Sequence, residues 1–228
     1  MCGRFVSSSP PDELAKYFDV EAVSESVLEP SFNVTPSQDV YVVVKIGGLR
    51  RLDTFHWGLV PFWAGGSKQR AAGWINARAE TALDSPAFGP ALRQRRCIIP
   101  VDAFFEWDRS VTPHQPFAIG AADDGLLALA GIWSPPFDSA LPSAAILTTS
   151  PDELLSPIHT RMPVILSRDA LSDWLSLDTD IAELRPLLAP CEASSLRTWP
   201  VSTAVNRVGN DGADLLRSVE VPATLGLV

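Results

Sequence analysis

An α+β fold is predicted for this 228-residue chain, with a mostly antiparallel, strongly curved, barrel-like β-sheet and short peripheral helices. Three features predict it. Short runs of β-branched and aromatic residues recur along the sequence, bounded by Pro and Gly. Helical stretches are brief and stand singly between those runs. Regular strand–helix alternation, which marks a doubly wound parallel sheet, is missing.

The elements follow in order. "SSSPPDELAKYF" (7–18) sets a capping serine before two prolines and two acids, so a short helix should begin near residue 10. "VYVVVKIGGLRRLDTFHWGLV" (40–60) is β-branched on both sides of Gly47-Gly48, the pattern of a hairpin with a two-residue turn. "SPAFGPALRQ" (85–94) reads as a short helix, and "RCIIPVDAFFEWDR" (96–109) as strand, turn and strand around Pro100. Further strands are expected at 115–121, 126–133, 144–150, 161–167 and 196–202, with short helices at 168–177 and 180–189. No internal repeat, low-complexity tract or linker interrupts the chain, so one domain over 1–228 is expected.

Composition narrows the function classes. Hydrophobic residues at 46% and charged residues at 20% are enough for a full core. No apolar run approaches the roughly 18–20 residues of a membrane span. The start "MCGRFVSSSPPDE" lacks the basic and apolar regions of a secretory signal, so a cytoplasmic address and no membrane partner are expected. Three cysteines (Cys2, Cys97, Cys191) at wide spacing argue against a disulfide framework. Three histidines (His56, His114, His159) without CxxC or HxxxH spacing argue against a metal site. The net charge of -9 opposes a nucleic-acid partner. It is unevenly spread, however: residues 45–109 carry +4, residues 1–44 carry -5 and residues 110–228 carry -8. A basic central third permits a local anion-binding groove.

Four residues carry the candidate chemistry. Removal of Met1 would leave Cys2 with a free α-amine and a thiol on one residue. Such a 1,2-aminothiol condenses with aldehydes to an imine, on which the thiol closes to form a thiazolidine. An α-amine pKa of about 7.7–8.0 and a thiol pKa near about 8.5 leave both nucleophiles partly available at neutral pH. Position alone leaves open that Cys2 is an incidental small residue at a chain end. In "WINARAET", Asn76 and Arg78 lie two apart and share one strand face. In "AFFEWDR", Glu106 sits among Phe104, Phe105 and Trp107, where desolvation would raise its pKa towards a useful general acid. A solvated carboxylate on an edge strand is the competing reading. In "SPIHTRMPV", His159 and Arg161 share a face ahead of an apolar run, and a hydrogen-bonded structural histidine stays open as well.

Together, "MCGRF" (1–5), "HWGLVPFW" (56–63), "NARAET" (76–81), "RRCIIPVDAFFEW" (95–107), "IHTRMPV" (158–164) and "WPVSTAVN" (199–206) resemble the SRAP family. Its members are abasic-site-processing proteins, first described as SOS-response-associated peptidases. The matches keep the family's order, so the motif-bearing core runs over about 2–206. Ala103 departs from the glycine that many members place ahead of the aromatic pair.

The resemblance implies a sensor of abasic sites in single-stranded DNA that cross-links to them through Cys2 after Met1 removal, shielding the lesion during the damage response. On this likeness Cys2 is the nucleophile, Asn76 orients its amine, and Glu106 and His159 move protons with lyase-like chemistry. Arg4, Arg78 and Arg161 would meet phosphates, and Trp107 or Trp74 would stack on a base beside the lesion, worth roughly 1–3 kcal/mol per base. With seven tryptophans, most must pack in the core. No cofactor is implied. The protein would be a monomer, nucleoid-associated when bound to DNA and in reach of replication machinery. Two other readings remain: a thiol autopeptidase with Cys2 as N-terminal nucleophile, and a non-catalytic single-strand-binding module.

Overall fold

The curvature of the sheet comes from a strand ladder that closes on itself. The structure, a computed structural model, describes residues 2–61, 73–136 and 141–221. Met1 and the Phe62-Trp63 end of the "HWGLVPFW" motif lie outside the described residues. Gly47 and Gly48, at φ of 62° and 86°, adopt the left-handed conformations that a type I′ hairpin turn requires. They join β4 (Asp39–Ile46) to β5 (Leu49–Trp57) in unbroken antiparallel register. β4 meets β7 (Arg96–Val101), β7 pairs with β10 (Leu127–Ser134), and β10 pairs with β11 (Ser143–Thr149). β11 then runs parallel to the end of β5, with Ser143 opposite His56 and Ala144 opposite Trp57. These five strands form a ring. β2 (Ala22–Val23) adds to β5, β6 (Asn76–Arg78) and β12 (Met162–Pro163) to β11, and β13 (Ile165–Leu166) to β10.

A second sheet of five strands packs against one side of the ring. Its members are β1 (Phe5–Ser7), β3 (Ser31–Val34), β8 (Ala103–Asp108), β9 (Gln115–Ala121) and β14 (Leu196–Pro200), in the order β14-β9-β8-β1-β3. Strand alternation divides the core. Val40, Val42 and Val44 join Phe5, Phe104 and Ile119 of the second sheet. Tyr41 and Val43 of the same strand instead face the helices. Those are α1 (Pro11–Tyr17), α2 (Ala79–Ala82), α3 (Gly89–Gln94), α4 (Leu171–Leu175) and α5 (Ile181–Leu184), all too short to persist without this packing. Buried Arg96 holds two of them to the ring. Its guanidinium donates to the carbonyls of Leu92 and Arg93 in α3, to Trp174 in α4, and to Ser176 just after it. Among the described residues, no helix is long and apolar enough to cross a membrane.

The α+β reading holds, with three local corrections. The capping position of α1 is Pro10, with no side-chain cap; Ser9 instead donates from Oγ to Asp102 Oδ1 at 2.6 Å. The break between β7 and β8 falls at Asp102, whereas Pro100 lies within β7 opposite Ala128. The 161–167 strand is split by Val164, whose N–H donates to Leu147 and whose carbonyl accepts from Ala130, so it bridges two neighbours.

Packing inside the ring is tight at Gly131, where an added Cβ would sit 2.8 Å from Cys97 Sγ and 3.2 Å from both the Ala145 carbonyl oxygen and Ile99 Cδ1. Gly131→Ala should therefore lower stability by about 1–3 kcal/mol through overpacking, read as a lower denaturant midpoint at unchanged slope.

Candidate active site

Cys2 is buried at 0% exposure among the residues that fill the space between ring and second sheet. Two contacts fix it. β1 begins three residues later and pairs with β8, Phe5 opposite Phe104. The Cys2 carbonyl oxygen accepts a 2.8 Å hydrogen bond from Asn76 Nδ2. Asn76 opens β6, which lies parallel to β11 with Asn76 opposite Ile146 and Arg78 opposite Thr148. The other end of the amide, Asn76 Oδ1, is buried without a hydrogen-bond partner.

Glu106 occupies β8 opposite Phe117 and is 2% exposed. Desolvation in this apolar setting raises its carboxyl from 4.5 to about 7. His159 ends a tight turn after β11. Asp152 caps that turn by accepting from the Leu155 amide at 2.7 Å, and the His159 amide donates to the Leu155 carbonyl at 2.9 Å. The imidazole Nε2 then stands 3.9 Å from Glu106 Oε2. Burial lowers the His159 pKa from its ordinary value. The Arg161 backbone N–H, an obligate donor, points at Nδ1 from 3.0 Å. The Arg161 carbonyl oxygen also lies 3.0 Å from Nδ1, so the Arg161 backbone holds that nitrogen in either neutral tautomer. Burial also pushes the Cys2 thiol well above the usual thiol range, and the nearby Glu106 charge adds to that.

The four residues expected to do chemistry are thus brought to one place by β1, β6, β8 and the turn after β11. The expected DNA contacts divide. Arg78 is exposed at the start of α2. Arg4 is half-buried; its Nη1 donates to Asn33 Oδ1 at 2.7 Å and to the Val205 carbonyl at 2.8 Å, and its guanidinium lies 5.9 Å from the Trp107 ring centroid. Trp107 is also tethered, its Nε1–H donating to Asn206 Oδ1 at 2.6 Å. Trp74 is 45% exposed and meets Phe88 edge-on at 5.4 Å. Arg161 is already engaged by Glu80 in a bidentate pair at 2.6 and 2.8 Å.

Several supporting residues were not picked out from the sequence. Asn33 is 3% exposed; its Oδ1 takes Arg4, while its Nδ2 reaches the carbonyls of Val205, Arg207 and Asn210 at 3.4, 3.2 and 2.7 Å. Exposed Arg109 acts electrostatically on both Glu106 and His159. Asn206 and Glu80 lie within the quoted motifs, which was the available signal; Asn33 in "SFNV" carried none. Among the described residues, no cluster of three or more His, Cys, Asp or Glu is placed to hold a metal ion.

Comparison with known proteins bears on this arrangement. The SOS response associated peptidase (SRAP) family matches residues 1–208. The abasic site processing protein YoqW of Bacillus subtilis (strain 168) is 38% identical over 226 residues, 96% of this chain and 100% of that protein. The abasic site processing protein YedK of Escherichia coli (strain K12) is 31% identical, over 96% of this chain and 100% of its own. The abasic site processing protein HMCES of Gallus gallus is 30% identical over 97% of this chain and 79% of its own. A crystal structure of a Bacteroides thetaiotaomicron protein superposes with a TM-score of 0.86 at 22% identity, over 96% of this chain and all of that one, a likeness of fold.

The buried carboxyl makes a stability prediction. The folded state keeps the Glu106 proton up to about pH 7, while the unfolded chain releases it near 4.5. Folding is therefore penalised increasingly as pH rises between those values, and fully above them. Glu106→Gln removes the penalty, by up to about 3 kcal/mol. Its melting temperature should exceed the parent's at pH 8 and match it at pH 4; the opposite order would mean that the carboxylate is stabilised in the fold.

Proposed function

Because the chain belongs to the SOS response associated peptidase (SRAP) family, we propose that it processes abasic sites in single-stranded DNA by covalent capture on Cys2. The observation that carries this reading is the fixed, buried Cys2 held by Asn76 beside a carboxyl and an imidazole of altered basicity. Relatives of 30–38% identity across nearly the whole chain bear the name abasic site processing protein.

With Met1 hydrolysed away, the Cys2 α-amine adds to C1 of the open-chain deoxyribose aldehyde. Glu106, protonated up to about pH 7, donates to the ring oxygen on opening and regains the proton shed by the anomeric hydroxyl. The amine's proton passes to the alkoxide after addition, and Glu106 then protonates the departing hydroxyl, so one water leaves as the iminium forms. The Cys2 sulfur next adds to the iminium carbon, its proton returning to the Glu106 carboxylate directly or through neutral His159, and the nitrogen keeps its hydrogen as the thiazolidine closes. The net reaction is aldehyde plus aminothiol giving thiazolidine and water, so it needs no cofactor. Because burial keeps the thiol protonated, the amine leads and the thiol follows. Asn76 Oδ1, unpartnered in its buried position, is set to accept from the freed amine. Arg78 meets a phosphate, and Trp107, held by Asn206, stacks on a neighbouring base. The same proton-moving pair would serve the thiol in releasing Met1, the peptidase reading. Each chain offers one Met1, so that would be a single event, and the raised thiol pKa would make it slow.

The test joins intact mass to a denaturing gel. Protein lacking Met1, mixed with a single-stranded oligonucleotide bearing one abasic site, should give a heat-stable shifted band without borohydride. Cys2→Ala should give none while keeping salt-sensitive binding. A processed amine that forms no band overturns the proposal. For Arg78→Ala, the plot of log affinity against log salt should flatten by about 0.7, the loss of one phosphate contact on a single strand.

A further inference from the structure

Glu80 lies in the "NARAET" stretch and has no part in the chemistry above. Its carboxylate receives two parallel hydrogen bonds from Arg161, Nη1 to Oε1 at 2.6 Å and Nη2 to Oε2 at 2.8 Å. The same Nη2 donates to the Thr148 carbonyl at 2.5 Å. Such a charge-assisted fork is directional as well as strong. It joins two parts of the site. Glu80 sits in α2, continuous with the strand that presents Asn76 and Arg78. Arg161 is two residues beyond His159, and its backbone N–H and carbonyl oxygen both lie 3.0 Å from His159 Nδ1.

We infer that Glu80 is a positioning residue that fixes Arg161, and through the Arg161 backbone the His159 ring, at the expense of Arg161's availability to DNA phosphate. A phosphate approaching Arg161 must compete with a carboxylate that already takes the planar fork of the guanidinium. Glu80 is also close enough to Arg78 to be stabilised as an anion by it, after the larger effect of the Arg161 hydrogen bonds. Two arginines expected to meet the strand therefore share one built-in anion, and its removal acts in opposite directions on binding and on chemistry. The consequence for chemistry rests on the function proposed above; the consequences for the ring and for binding do not.

Glu80→Gln keeps the shape and removes the charge, and Glu80→Asp restores the charge on a shorter arm. In the DNA-free protein, nitrogen NMR of His159 should show a single neutral tautomer in the parent, held by the Arg161 backbone. Glu80→Gln should average the two tautomers. For an undamaged single-stranded oligonucleotide at low salt, Glu80→Gln should bind about two- to fivefold more tightly, with a salt slope steeper by about 0.7. At saturating abasic DNA, its cross-linking rate should fall by about tenfold, with part of the loss recovered in Glu80→Asp. Binding and rate that fall together would assign Glu80 a purely structural role and overturn the inference, as would an unchanged His159 spectrum. If the parent forms no cross-link, the proposed function fails, and the NMR and binding measurements still decide the role of Glu80.

Discussion

Residue 2 keeps a fixed place because the first strand is not at an edge. β1 lies between β8 and β3, with Phe5 opposite Phe104 on one side and Val34 on the other. A chain end ordinarily frays, since each ordered residue costs about 1–2 kcal/mol of backbone entropy. Burial of Phe5, worth roughly 1.5–3 kcal/mol, offsets that. The Phe5 ring packs on Trp57 of the closed ring at 4.8 Å between centroids. Trp57 in turn donates from Nε1 to the Ile75 carbonyl at 3.1 Å, and the next residue is Asn76, which holds the Cys2 carbonyl. A circuit of contacts thus runs from the terminus through both sheets and back to it. The site is as rigid as the joint between the sheets.

The same burial sets the protonation states. It pushes the Cys2 thiol up, the Glu106 carboxyl up and the His159 imidazole down, all towards the uncharged form. A site of neutral groups avoids the desolvation cost of buried charge, and it holds a proton donor and a proton acceptor together near pH 7. Glu106 and His159 are 3.9 Å apart, close enough to act on neighbouring atoms of one substrate. On the proposed reading, this explains why a thiol so poor as a resting nucleophile is still useful: it acts only after the amine has made an electrophile beside it.

Much of this was legible in the sequence, for identifiable reasons. Gly47-Gly48 forces a turn that few other pairs tolerate, so the β4–β5 hairpin could be placed to the residue. The period-2 relation of Asn76 to Arg78 and the aromatic setting of Glu106 are local patterns, and local patterns survive folding. Ring closure was not legible, because β5 and β11 are separated by more than eighty residues and meet over two residue pairs. Pro100 misled because proline usually marks a break. Here it sits within a strand, and the turn is made at Asp102, whose carboxylate satisfies the amides of Ser8 and Ser9 at 2.7 and 3.2 Å. The bond between Arg161 and Glu80 was hidden for the same reason as the ring: a partner 81 residues away leaves no mark on the neighbouring sequence.

On the proposed reading an acidic protein must meet DNA, which poses an electrostatic question. The net charge of -9 repels a polyanion at long range, but in about 0.1 M salt charges farther apart than about 10 Å are largely screened. What remains is local: exposed Arg78 and Arg109, with Arg4 and Arg161 held back by Asn33 and Glu80. On the proposed reading, reversible affinity for an intact strand is therefore expected to be modest. On the proposed reading modest affinity serves the function, because a sensor that clung to every single strand would be diluted over undamaged DNA. Selectivity then comes from the covalent step, for which only a free aldehyde qualifies. The missing base is recognised by the bond its absence allows.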